Sequence, residues 1–439
     1  MVFKMLTVDL TRDLHEDFPP ESTTPPSSSP ALCFNLNLPF TSSLTTEFFL
    51  RRHPRVPAST ASAIVQRKQE IQVQRGRLAK FTLKELKVAT GKFKGKNIVG
   101  RGAFGTVYRG QLDNGYMVAV KRREQSRTQG LDEFQVEVKI GNMPNHLNIL
   151  PLLGYCEASK SKEYILVYPY MANGSVASRL RDDQVESWSP LSWQARMKIA
   201  LGAARGLRHL HSLNIIHRDI KPSNVLLNES FEPLIGDFGI ALFAAGGKQA
   251  HNDENAVVCE TREAAELALQ KNRAMAESAL EDDLTSLTTV VCGTMGFVDP
   301  MFMSTGRCSM KSDIFSFGIM LLELLTGKHA FDYDHDHHVL LHDWVRSVLI
   351  EKSLEEIMDP NMRGDYDDGE AERLTKVALL CAQLVPKERP NAWRLVQFVE
   401  GKGWQERWED VKDCIMAEAG IGCDTMTEGD SSAFSSGTR

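Results

Sequence analysis

His217-Arg218-Asp219-Ile220-Lys221-Pro222-Ser223-Asn224 places a carboxylate able to accept a proton, an ammonium two residues on and a metal-capable amide within one short loop. Thirteen residues after Asn224 the chain reads Asp237-Phe238-Gly239, which supplies a second carboxylate. The pairing is the signature of phosphoryl transfer, in which catalysis consists of positioning and charge neutralisation and little covalent chemistry falls to the protein. An isolated His-Arg-Asp is weak evidence, so the reading depends on the rest of the chain.

Upstream stands Gly100-Arg101-Gly102-Ala103-Phe104-Gly105, preceded by Ile98 and Val99. Dinucleotide-binding folds share the bare G-x-G-x-x-G spacing. The residues after Gly105 separate the two: Thr106 to Tyr108 is β-branched and aromatic, and Met117 to Val120 is a second strand after the turn at Asp113-Asn114-Gly115. The glycines therefore join two strands as a flap over phosphates and do not open a helix, which excludes a dehydrogenase. The second strand ends at Lys121, whose ammonium can pair phosphate oxygens if an acid holds it. A helix is expected over Thr128 to Asn142, and Glu137 on it is the candidate acid. The strand Tyr164 to Tyr168 runs into Pro169-Tyr170-Met171, where the backbone of Pro169 and Met171 can bond adenine and Tyr168 closes the back of the pocket.

The remaining pattern is mostly helical. Thr82 and Glu85 form a capping box opening a short helix to about Ala89, with Phe81 and Leu86 as its staple. Ile199, Ala203, Leu207 and Leu210 recur at helical spacing and carry the chain to the His217 loop. Phe315 to Leu325 is apolar nearly all round and stops at Gly327, as expected of a buried helix. Further helices are expected over Leu340 to Leu349, Ala371 to Leu384 and Trp393 to Val399.

The net charge of −6 is unevenly spread: between Arg51 and Lys96 thirteen Lys/Arg face two Glu, a local +11 against −17 elsewhere. This gives no nucleic-acid footprint, but the basic residues 51–96 allow a weak peripheral contact with an anionic membrane. The eight cysteines are scattered without a C-x-x-C pair, which suits reduced thiols in a cytoplasmic compartment. No signal peptide or transmembrane segment is read: the N-terminus lacks a continuous apolar stretch, and the run Phe315 to Leu325 is too short to span a bilayer.

The ordered set Gly100/Gly102/Gly105, Lys121, Glu137, Asp219, Asn224 and Asp237 resembles a eukaryotic protein kinase over about Phe93 to Glu400. Val167 to Ser178, Arg127 to Gly130, Ala204 to Leu207, Met320 to Gly327 and Glu406 to Glu409 are similar to the somatic embryogenesis receptor-like kinases of plants. The resemblance implies an α+β, bilobal fold: a Pro/Ser-rich and basic tether (1–75), a pre-kinase helix (76–92), an N-lobe (93–171), a C-lobe (172–400) with an activation-segment insertion at about 250–285, and a tail (401–439). It implies transfer of the γ-phosphate of ATP to Ser/Thr of protein substrates, with Asp219 as base, Lys221 on the γ-phosphate, Lys121 and Glu137 setting the nucleotide, and Asn224 and Asp237 holding Mg²⁺ or Mn²⁺. The ATP site would comprise Gly100, Arg101, Gly102, Ala103, Phe104, Gly105, Val107, Ala119, Lys121, Pro169, Met171, Asn224 and Asp237, and Thr288, Thr289 and Thr294 are phosphorylation candidates that Arg218 can pair. Membrane receptor kinases are the implied partners, at the inner face of the plasma membrane. The rival reading is a pseudokinase that binds such kinases without turnover.

The chain departs from the family pattern at one point that bears on the fold. Where the family reads A-P-E, this chain reads Asp299-Pro300-Met301, so the acid that normally pairs an arginine matching Arg389 is missing. Asp299, two residues upstream, is the expected replacement.

Overall fold

Alternation of β-branched and aromatic residues with small or polar ones builds a six-stranded sheet, in a computed structural model describing residues 78–102, 105–123, 130–158, 161–181, 189–244, 287–332, 339–351 and 353–420. Its strands are β1 (Ala79–Lys80), β2 (Ile98–Gly102), β3 (Gly105–Gln111), β4 (Met117–Arg122), β5 (Gly154–Ala158) and β6 (Glu163–Pro169), in spatial order β1-β5-β6-β4-β3-β2. All pairings are antiparallel except β1 with β5. Period-two alternation sends Val118 and Val120 of β4 into one core with Leu86, Ile165 and Val167. The opposite face carries Ala119 and Lys121 toward the cleft. Lys121 lies opposite Val107 on one side and Leu166 on the other.

Helix α1 (Leu83–Ala89) covers the first face, its start set by the expected box: Glu85 N donates to Thr82 Oγ1 at 3.2 Å, and Glu85 Oε2 accepts from Thr82 N at 2.7 Å. Phe81 and Leu86 meet in the same cluster. Helix α2 (Gly130–Gly141) covers the other face, and its Phe134 packs with Leu150, Leu152, Leu166 and Tyr168.

The larger lobe is helical. Helix α3 (Trp193–Ser212) and helix α5 (Met310–Thr326) form its centre, and α5 is buried continuously from Ser312 to Thr326 before Gly327 caps it at φ +70°. Between them in sequence lies α4 (Pro300–Thr305); beyond them α6 (Asp368–Cys381) and α7 (Ala392–Val399) pack onto the same core. Burying a Leu, Ile or Phe fully stabilises by about 1.5–3 kcal/mol, so the continuous buried run of α5 contributes strongly to this core. The chain does not end its folded part at 400: helix α8 (Trp404–Gly420) inserts Trp408, Val411 and Ile415 into this core, so the expected tail begins with a packed helix. The tether 1–75, the insertion 250–285, Arg127 to Gln129, and the tail beyond 420 lie outside the described residues.

Candidate active site

The His217 loop leaves the strand Ile215–Ile216 and is anchored from below by Asp313 of α5. Asp313 Oδ2 accepts from His217 N and Oδ1 from Arg218 N, both at 2.8 Å, while His211 Nε2 sits 3.0 Å from Oδ2. His217 Nε2 lies 3.0 Å from Gly236 O, which ties the loop to the turn before Asp237. Arg218 (φ +68°) and Asp237 (φ +63°) both adopt left-handed backbone, a strain of order 1–3 kcal/mol per residue that persists where surrounding contacts over-determine it.

Asp219 is buried and held by three donors. Its Oδ1 accepts from Thr294 Oγ1 at 2.7 Å, and its Oδ2 from Lys221 Nζ at 2.7 Å and Asn224 Nδ2 at 3.0 Å. Asn224 Nδ2 also bonds Asp219 O at 2.8 Å, leaving its carbonyl oxygen as the acceptor end of the amide. Lys221 Nζ donates to Thr294 Oγ1 at 2.5 Å, closing a ring of Asp219, Lys221 and Thr294. The structure thus puts Thr294 inside the loop's polar network. Thr289 is the threonine that Arg218 reaches, with Nη1 3.4 Å from Oγ1, and next to it the exposed Thr288 ends a two-residue strand.

On the other wall Lys121 Nζ donates to Glu137 Oε1 at 2.8 Å and to Asp237 Oδ1 at 2.5 Å. Burial opposes the Lys121 charge, but the carboxylates of Asp237 and Glu137 outweigh it and hold the pKa above its ordinary value. Burial likewise opposes the Asp237 charge, and Lys121 reverses the balance and lowers its pKa. Glu137, the acid expected to hold Lys121, is only 2% exposed. Two of its partners were not legible in the sequence: Arg123, with Nη2 3.0 Å from Oε1, and the Tyr168 hydroxyl on Oε2. Burial and the nearby Glu137 raise the Tyr168 pKa well above the usual phenol value.

The glycine flap forms as a β2–β3 hairpin in which Gly102 pairs with Gly105. A side chain at Gly105 is excluded twice, by φ +128° and by Arg122 O, 2.4 Å from where a Cβ would stand. At Gly102, among the described residues and apart from its chain neighbours, nothing lies within 4 Å of such a Cβ. Ala103 and Phe104 lie outside the described residues. Ala119 pairs with Tyr168 and Val118 with Pro169, placing the break at Pro169 to Met171 beside β4. The donors fit a nucleoside triphosphate with a hard divalent cation: an ammonium at Lys121, and carboxylate and amide oxygens at Asp237 and Asn224.

A family model described as "Protein kinase domain" matches residues 93–399. The chain is 40% identical over 343 residues to the rice (Oryza sativa subsp. japonica) "LRR receptor kinase SERK2", an alignment covering 76% of this chain and 50% of that protein. It therefore spans about half the length of the curated relative it matches. No helix among the described residues is long and apolar enough to cross a membrane. With its two-lobed architecture and the match over residues 93–399, the chain belongs to the protein kinase family.

Proposed function

We propose that the protein transfers the γ-phosphate of ATP to serine or threonine hydroxyls of protein substrates. The observation that carries this is the state of Asp219: a buried carboxylate oriented by Thr294, Lys221 and Asn224, across the cleft from an intact Lys121–Glu137–Asp237 chain of ion pairs. A scaffold without turnover has no need for either constellation to be complete.

Asp219 accepts the proton of the substrate hydroxyl, a contribution of about 10²–10⁴ in rate. Lys221, already bonded to Asp219 and Thr294, steadies the transferred group, and Lys121 orients the phosphates behind it. Asn224 and Asp237 hold the divalent cation, Mg²⁺ or Mn²⁺, which when bound neutralises phosphate charge. Residues Gly100, Arg101, Gly102 and Gly105 cover the phosphates, while Val107, Ala119, Pro169 and Met171 border the base. Phosphate on Thr288 or Thr289 is paired by Arg218, which orders the segment that presents substrate.

The likeness to a receptor kinase supports partners among membrane receptor kinases at the inner face of the plasma membrane. Lys80, Lys84, Lys87, Lys92, Lys94 and Lys96 are all exposed, and each adds about 1 kcal/mol of attraction to an anionic surface. The test is phosphate incorporation into a generic protein substrate from Mg²⁺–ATP, beside Asp219→Asn. A loss of about 10²-fold or more in the variant is expected; equal incorporation by both proteins, or none by either, overturns the reading.

A further inference from the structure

Arg123, two residues beyond Lys121 and just past the end of β4, takes no part in the phosphoryl transfer proposed for this site. Its side chain is 3% exposed and reaches two acids one turn apart on α2: Nη1 bonds Glu133 Oε2, and Nη2 stands 3.0 Å from Glu137 Oε1. Among the described residues its buried Nε has no hydrogen-bond partner. A guanidinium kept dry at that cost is explained by its acids and not by packing, since an apolar side chain fills a buried site without leaving a donor unmet.

The oxygen that Arg123 approaches is the one that Lys121 uses, Glu137 Oε1. Lys121 is shared in turn with Asp237, so three carboxylates and two cations make one chain, buried at its centre and partly exposed at its ends: Glu133, Arg123, Glu137, Lys121, Asp237. A phosphate entering the cleft draws the Lys121 ammonium toward itself. Lys121 is then shared between phosphate and Glu137, and without a second cation Glu137, with 1% of its side chain exposed, would be left under-compensated. Arg123 is positioned to prevent this. It also touches the third moving part: a Cβ on Gly239 would stand 3.2 Å from Arg123 Nη2 and 3.4 Å from Glu137 Oε1, so the glycine of Asp237-Phe238-Gly239 lies directly on the pair.

We propose that Arg123 is a positioning residue, a second counter-ion that holds α2 against β4 and keeps Glu137 in place for Lys121 while Lys121 engages nucleotide. The proposal rests on the kinase reading for its kinetic consequence but not for its structural one. Arg123 spans Glu133 and Glu137 as a fork, which a lysine's point charge cannot reproduce.

The test uses the full chain with Arg123→Leu, Arg123→Lys and Glu133→Gln, reading amide hydrogen exchange across Gly130–Gly141 with and without Mg²⁺–ATP, together with steady-state kinetics. Arg123→Leu is expected to speed exchange of α2 at least about tenfold and to lower kcat/KM for ATP by about tenfold. The KM for protein substrate should stay within about twofold, a split that general destabilisation does not produce. Arg123→Lys should fall between wild type and Arg123→Leu. Glu133→Gln, which leaves the buried guanidinium in place, should change both readouts in the same direction by less. Exchange of α2 equal to wild type in both Arg123→Leu and Glu133→Gln overturns the proposal, as does a parallel loss in both substrates' parameters. If no form of the protein turns over, the exchange readout alone decides the matter, so a failure of the kinase reading stays distinguishable.

Discussion

Arg389 and Asp299, ninety residues apart in the chain, form a forked ion pair with both N–O distances at 2.7 Å and side chains 0% and 2% exposed. The three remaining guanidinium donors go to the carbonyls of Gln383 (2.7 Å), Lys311 (3.0 Å) and Leu384 (3.1 Å), so all five N–H groups are used. The guanidinium also lies 5.0 Å from the centre of the Phe315 ring. Asp299 serves a second purpose, capping α4 through Met301 N at 2.9 Å and accepting from Ser312 Oγ at 3.0 Å. Met301, where the family has its glutamate, is 41% exposed. The acid has moved two positions upstream and still closes onto the same arginine.

Because each partner left alone is a buried unpaired charge or an unmet fork, Arg389→Leu and Asp299→Asn should each cost about 3–5 kcal/mol in urea unfolding. The double variant should cost much less than the sum, with a coupling of about 2 kcal/mol or more. Additivity to within about 0.5 kcal/mol would show the two side chains to be independent.

Thr294 bridges Lys221 and Asp219, so its hydroxyl matters as a positioner and its phosphorylation would break the ring. Thr294→Val is expected to lower kcat by about 10–100-fold with the KM for ATP little changed, and Thr294→Ser to retain activity within about threefold. A loss in Thr294→Ser with Thr294→Val close to wild type would mean that the methyl group, not the hydroxyl, is what the site needs.

At Gly105 a Cβ would meet Arg122 O at 2.4 Å with φ +128°, so Gly105→Ala should force the flap hairpin to shift. The expected result is a loss of about 1–3 kcal/mol in stability and a KM for ATP raised several-fold. Unchanged urea midpoint and KM would show that the hairpin relaxes without strain.

Burial, ahead of the opposing pull of Asp343, lowers the pKa of His342 from 6.5 to about 4. Between those values the unfolded chain binds the proton and the folded one does not, so stability falls as pH drops from about 6.5 to 4. This one residue contributes up to about 1.4 kcal/mol per pH unit to the slope. Urea titrations of His342→Gln should show a flatter dependence in that window; an unchanged slope would assign the acid sensitivity elsewhere.

The catalytic order from Gly100 to Asp237, the capping box at Thr82, the strand alternation in β4 and the glycine stop of α5 were all legible in the residues, because each is set by neighbours within a few positions. Glu137 was legible as a candidate only, since its spacing from Lys121 says nothing about burial. The place of the Thr294 hydroxyl between Lys221 and Asp219 was not legible, nor was the packing of α8 onto the core beyond residue 400. The replacement of the missing glutamate was inferred from Asp299's proximity in sequence, but its five-donor fit depends on carbonyls at 311, 383 and 384. Local chemistry and periodicity determined which reaction parts the chain carries and in what order. Which acid closes onto Arg389, which hydroxyl orients Asp219 and which cations share Glu137 were decided only by tertiary packing, because such partners lie from 14 to 90 residues apart and meet only after the helices and sheet have docked.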